Sequence, residues 1–156
     1  MKIAPIRAEG VSVSKGKTNY PEPFADLVKG RTKRKLGDIF DLTNFGVNLT
    51  ELDPGSASSV KHCHTKQDEF IFILRGTGTV IYGEEEFPVS AGDCIGFKAG
   101  TGMGHQLVNR SSAPVVYLEV GDRTPNDDCV YPDDDLCARS GEQGTWRFTH
   151  TDGTPY

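Results

Sequence analysis

The sequence predicts a single antiparallel all-β domain, a sandwich or barrel, on three grounds. The chain has 156 residues, enough for one ordinary core and too few for two. Its 18 glycines and 9 prolines are spread along the chain. The segments between them are short and rich in Val, Ile, Phe, Tyr and Thr, the residues that suit a pleated, half-buried surface. No long stretch carries a competing helical period.

In chain order, strands are expected at residues 37–42, 45–52, 59–64, 69–75, 77–82, 86–90, 93–98, 105–109, 115–121 and 145–150. Residues 21–28 read as a single helical turn. Residues 133–139 read as another, after Pro132, whose missing N–H suits a first turn. The hairpin at Gly83-Glu84-Glu85 carries three glutamates with Glu86, most simply a solvated tip that blunts a sheet edge. A calcium site there would need further oxygen ligands from elsewhere. The organisation is an N-terminal arm and first strands over 1–44, a barrel core over 45–121 and a tail packed on the barrel over 122–156. In that tail Trp146 and Phe148 alternate with Arg147 and are expected against the barrel exterior, and His150 is expected to be structural or solvated.

Composition narrows the partners. Lys and Arg number 17 against 22 Asp and Glu, a net charge of −5 and an isoelectric point near 5.3. A surface of that sign repels phosphate backbones and anionic lipid heads, which disfavours nucleic acid and membranes as partners. The longest apolar stretches, such as that containing Ile71–Leu74, are far too short for a spanning helix. The N-terminus lacks the apolar run of a secretion signal, so a cytoplasmic location is expected, with Cys63, Cys94, Cys129 and Cys137 as thiols that fill small apolar spaces.

Chemistry concentrates around the histidines. His62 and His64 are two apart on a strand and share a face, while Cys63 points the other way. A tight turn through Thr65-Lys66-Gln67 returns the chain, so Glu69 opens the next strand beside them. His105 begins a separate strand after the glycine-rich loop 100–104. Three imidazoles and one carboxylate suit a divalent transition metal such as Fe, Mn, Ni, Co, Cu or Zn. Histidines at i and i+2 can also be plain half-buried polar residues. Against this stands Glu69 at the head of the apolar run Phe70–Leu74, because a carboxylate aimed into an apolar barrel is costly without a partner.

These residues carry a resemblance. Gly55-Ser-Ala-Ser-Ser-Val-Lys-His62-Cys-His64-Thr-Lys-Gln-Asp-Glu69, followed by Phe70–Gly76, resembles the first motif of the cupin superfamily: a glycine, H-x-H, the glutamate and a closing glycine. Gly92-Asp-Cys-Ile-Gly-Phe-Lys98-Ala-Gly100-Thr-Gly-Met-Gly-His105-Gln-Leu-Val-Asn109 resembles the second. One extra residue separates Gly55 from His62, Lys98 stands where proline is usual, and Gly102–Gly104 lengthens the loop before His105. The resemblance implies an antiparallel double-stranded β-helix of the jelly-roll type, one metal on His62, His64, Glu69 and His105, and pairing as a homodimer. The flanking segments are similar to small bacterial cupins described as sugar-phosphate isomerases.

The expected chemistry follows from such a centre. A metal with open positions chelates hydroxy-carbonyls or oxo-acids and stabilises an enediolate oxygen. Aldose–ketose isomerisation of a small anionic metabolite fits, given a base nearby. On strand 115–121, Glu119 is the candidate base and Tyr117 a hydroxyl donor, if their shared face looks inward and not to solvent or a subunit contact. An Fe(II) dioxygenase and a non-catalytic small-molecule-binding protein are the alternatives. Lys29, Arg31, Lys33, Arg34 and Lys35 read first as a solvated loop. In a sharper reading Arg31, Lys33, Arg34 and Lys35 clamp a phosphate or carboxylate.

Overall fold

A computed structural model describes residues 4–141 and 145–156. Its elements are short strands and three 3-10 turns, with no α-helix among the described residues. One sheet has six strands, in the order β1 (Ser14–Lys15), β2 (Arg31–Lys35), β3 (Phe45–Leu52), β10 (Val115–Asp122), β5 (Glu69–Arg75) and β8 (Cys94–Phe97). Facing it are a four-stranded sheet, β13 (Trp146–Thr149), β12 (Cys137–Ser140), β11 (Asp128–Val130) and β4 (Cys63–His64), and a three-stranded sheet, β7 (Glu85–Ser90), β6 (Thr77–Tyr82) and β9 (His105–Val108). Isolated bridges from Ala57 to Val108 and from His62 to His105 stitch these two together. Every pairing is antiparallel. The result is the jelly-roll barrel that the strand density and motifs predict.

Strand alternation builds the interior. Leu52, Ile71, Ile73, Val115 and Tyr117 point inward from the six-stranded sheet and meet Val80, Phe97 and Leu107, with each of these residues at most 6% exposed. A second cluster of Val60, Cys129, Tyr131, Leu136 and Ala138 is joined by Tyr20, Phe24, Trp146 and Phe148. Two glycines are demanded by geometry. At Gly76 φ is +82°, and a Cβ would lie 2.5 Å from the Pro114 carbonyl oxygen. At Gly104 a Cβ would lie 2.8 Å from Pro132, so only glycine lets the chain enter β9 at that point. The four cysteines are free thiols, as expected, but Cys94 is exposed and fills no apolar space.

The structure corrects several local expectations. Residues 37–42 are not a strand: Asp38–Phe40 forms a 3-10 turn, closed by Asp41 at φ 55°, a left-handed conformation that aspartate tolerates. The basic segment is not a loop, because Arg31–Lys35 pairs residue for residue with Leu52–Asn48 of β3. Residues 133–139 do not form a helical turn. Cys137–Ser140 is a strand between β11 and β13, held by pairing that sequence spacing does not reveal. The expected strand 59–64 reduces to Cys63–His64 plus bridges. Trp146 and Phe148 do not lie against the barrel exterior but line the interior cavity. The triple-glutamate tip is a two-residue turn, Gly83-Glu84, between Tyr82 and Glu85. Glu86 is tied to the Arg110 guanidinium by two hydrogen bonds of 2.6 and 2.8 Å.

Candidate metal centre and pocket

Three elements bring the expected ligands together. His62 and His64 come from β4 and the bridge before it, Glu69 opens β5, and His105 opens β9. The Nε2 atoms of His105, His62 and His64 lie 2.7, 3.5 and 3.7 Å from one oxygen of Glu69. His62 Nδ1 is 2.9 Å from the Val60 carbonyl oxygen and His64 Nδ1 is 2.6 Å from a carboxylate oxygen of Asp127. Those acceptors call for protonated Nδ1, which leaves both Nε2 lone pairs aimed at the Glu69 oxygen. Lone pairs and a carboxylate crowded at one point repel unless protons or a cation sits among them, so the donor set fits a bound divalent transition metal.

Without a metal, protons on the imidazoles take the cation's place beside Glu69. Burial works against an ionised Glu69, yet hydrogen bonds from His105 and His62 outweigh it and hold the carboxyl well below its usual range. Burial likewise lowers His62, but Glu69 outweighs it and the ring ends above its ordinary value. His105 is lowered, with burial dominant. It stacks on Phe97 with ring centroids 3.9 Å apart and planes 5° from parallel, which fixes its orientation.

Sequence reasoning missed two neighbours. Asp127 is fully buried. One of its oxygens accepts from His64 and the other from Thr65 Oγ1 at 3.1 Å and the Lys66 amide at 2.7 Å. It therefore pins both a histidine and the turn that delivers Glu69. Nothing local in the sequence marks it, because its partners lie about sixty residues away. Cys129 sits opposite His64 in the β11–β4 pair and groups with His62 and His64 as a second possible ligand set. Burial pushes the Cys129 thiol up, away from the thiolate a metal requires. Glu69 is thus the better fourth donor.

The four residues line one wall of a cavity of about 770 Å³. Tyr117 and Glu119 line it as well, so their face of β10 does look inward. Glu119 accepts from Lys33 Nζ at 2.7 Å and from Asn48 Nδ2 at 3.0 Å. The Tyr117 hydroxyl is buried without a hydrogen-bond partner among the described residues, as is Thr50 Oγ1 directly across the ladder. Burial, then the Glu119 charge, pushes Tyr117 well above the usual phenol range, so the hydroxyl keeps its proton. Arg31, Lys33 and Lys35 face the cavity, while alternation turns Arg34 to the other side of β2. The four-residue clamp is corrected accordingly. The Arg31 guanidinium is bonded to the Ser58 carbonyl, and His150 is bonded to Asp135 at 2.8 Å, away from the centre.

A cupin domain profile matches residues 48–121. Among solved structures, a sugar phosphate isomerase of the cupin superfamily from Silicibacter pomeroyi aligns with a TM-score of 0.91 and 37% identity, over 98% of this chain and 96% of that one. The chain belongs to the cupin superfamily. A protein of Acidithiobacillus ferrooxidans, provisionally called a sugar phosphate isomerase, aligns at a TM-score of 0.73 and 26% identity over 83% of each chain. The polyketide cyclase RemF of Streptomyces resistomycificus aligns at 0.63 and 20% identity, over 78% of this chain and 80% of that one, and shows the fold alone. No sequence among the curated proteins matches the chain. No helix among the described residues is long and apolar enough to cross a membrane.

Proposed function

We propose that this cupin is a metal-dependent enzyme acting on a small anionic metabolite, with aldose–ketose isomerisation of a sugar phosphate as its reaction. The observation that carries the reading is the placement of Glu119 in the same cavity as His62, His64, Glu69 and His105. The likeness to proteins described as sugar phosphate isomerases supports it. A divalent transition metal held by those four residues would polarise the substrate carbonyl and stabilise the enediolate oxygen. Glu119 accepts the proton from the carbon beside the carbonyl and returns it to the former carbonyl carbon. The Lys33 ammonium and the Asn48 amide hold the carboxylate in place during that transfer. The Tyr117 hydroxyl passes the proton between the two substrate oxygens and ends as it began.

Deuterium exchange tests this reading. Sugar phosphates incubated in D2O with protein loaded separately with each candidate metal are expected to gain one deuteron at the transferring carbon. Glu119→Gln should lower that exchange by about 10²–10⁴-fold while keeping the metal. Oxygen uptake without exchange would replace the isomerase with a dioxygenase. Neither exchange nor oxygen uptake, with a bound ligand, would make this a binding protein.

We further propose that the cupin works as a homodimer. The outer face of the six-stranded sheet supports this. Its cross-strand rows Val47–Val120–Phe70 and Leu49–Leu118–Phe72 are apolar, and Phe70 and Leu74 are 38% and 47% exposed.

A further inference from the structure

Beside the metal cavity runs a second groove, formed between the ends of β2, β3 and β10 and the β12–β13 pair, and the two share Lys33, Lys35, Glu119 and Trp146. Five cations line this groove against three carboxylates, although the chain as a whole carries −5. Lys33 is committed to Glu119, and Arg123 to Asp38. Asp122 is occupied by the amide and hydroxyl of Thr124, the latter at 2.7 Å. Lys35, Arg139 and Arg147 have no ion-pair partner among the described residues.

Arg139 and Arg147 are direct partners across the β12–β13 ladder. Like charges directly opposite on one face destabilise a strand pair, so this register carries a cost that a bound anion offsets. Arginine forks suit a tetrahedral or planar oxyanion, which can accept two parallel N–H bonds from each.

We infer that Arg139, Arg147 and Lys35 form an anion subsite for the phosphate or carboxylate of a ligand whose other end lies at the metal centre. This rests on the reading that the ligand is anionic and moves its recognition away from Arg31 and Lys33, which have internal partners. Glu119 lines both the groove and the cavity.

Inorganic phosphate titrated into the full chain at low salt, followed by amide shifts in NMR spectra, tests the subsite. Saturable shifts should centre on residues 139–141 and 145–147. Arg139→Gln with Arg147→Gln should weaken binding by roughly tenfold or more, while Lys66→Gln with Lys98→Gln should leave it unchanged. Phosphate binding that survives the arginine pair overturns the subsite and leaves the anionic-ligand reading standing. No saturable phosphate binding by the wild type overturns both. Metal content of the arginine variants should equal that of the wild type, and its loss would mean that the substitutions disturb the barrel.

Discussion

At His64 one hydrogen bond decides which nitrogen is free. Asp127 accepts a hydrogen bond from Nδ1–H at 2.6 Å, so Nε2 faces Glu69 as a lone pair. Asp127→Asn can still accept from the turn at 65–67 but offers His64 an N–H where an acceptor is needed. The ring should then carry its proton on Nε2, where it cannot ligate. Imidazole nitrogen shifts of metal-free protein at alkaline pH should show this tautomer change, with metal affinity falling about 10–100-fold and thermal stability of the metal-free form nearly unchanged. An unaltered tautomer and affinity would remove Asp127 from the centre. The clustering of His62, His64 and Glu69 is legible in the sequence, because parity on a strand and a three-residue turn act over short distances, whereas His105 lies on a separate strand 36 residues from Glu69 and is marked only by the second motif. Asp127 is not legible, since a carboxylate's burial depends on partners that only the folded chain brings near.

Strand β2 shows how alternation sorts a charge run. Arg31, Lys33 and Lys35 turn inward and Arg34 outward, so a segment that reads as a solvated loop supplies the partner of Glu119. Charge density argued for solvent exposure, and only pairing with β3 reveals the strand. The C-terminal strands hid for a similar reason, as their ladder partners lie in β4 and in one another. Past β13 the tail is held by Asp135, which accepts from His150 and from the amide and hydroxyl of Thr151. Those contacts, led by the Thr151 hydroxyl, lower the Asp135 carboxyl from 3.8 to about 2. A depressed folded-state value stabilises the docked tail above the ordinary pKa and loses that contribution as pH falls through about 2. Protection of the amides of residues 150–156, taken relative to their intrinsic exchange rates, should therefore fall between pH 4 and pH 2. Asp135→Asn should show the lower protection already at neutral pH. Equal protection in the variant would show that the tail is held by the stacking of His150 on Tyr156 instead.

The whole molecule is a barrel with one apolar sheet face outward and the His62, His64, Glu69 and His105 cluster inside. The all-β class could be read from turn spacing, and both motifs from their resemblance to the cupin pattern, while the packing of Tyr20, Tyr131, Trp146 and Phe148 arises from chain ends that meet only in three dimensions. If the apolar outer face pairs two copies, Phe70→Glu with Leu74→Glu should convert a dimer to a monomer in sedimentation equilibrium without loss of metal. A wild type that sediments as a monomer would refute the pairing. The central claim is the metal centre, and elemental analysis of untagged protein tests it most directly. Wild type should carry one transition metal per chain, and His64→Ala and His105→Ala should carry almost none while remaining folded. Stoichiometry unchanged in both variants, or a wild type that takes up no transition metal at any pH between 6 and 9, would contradict it.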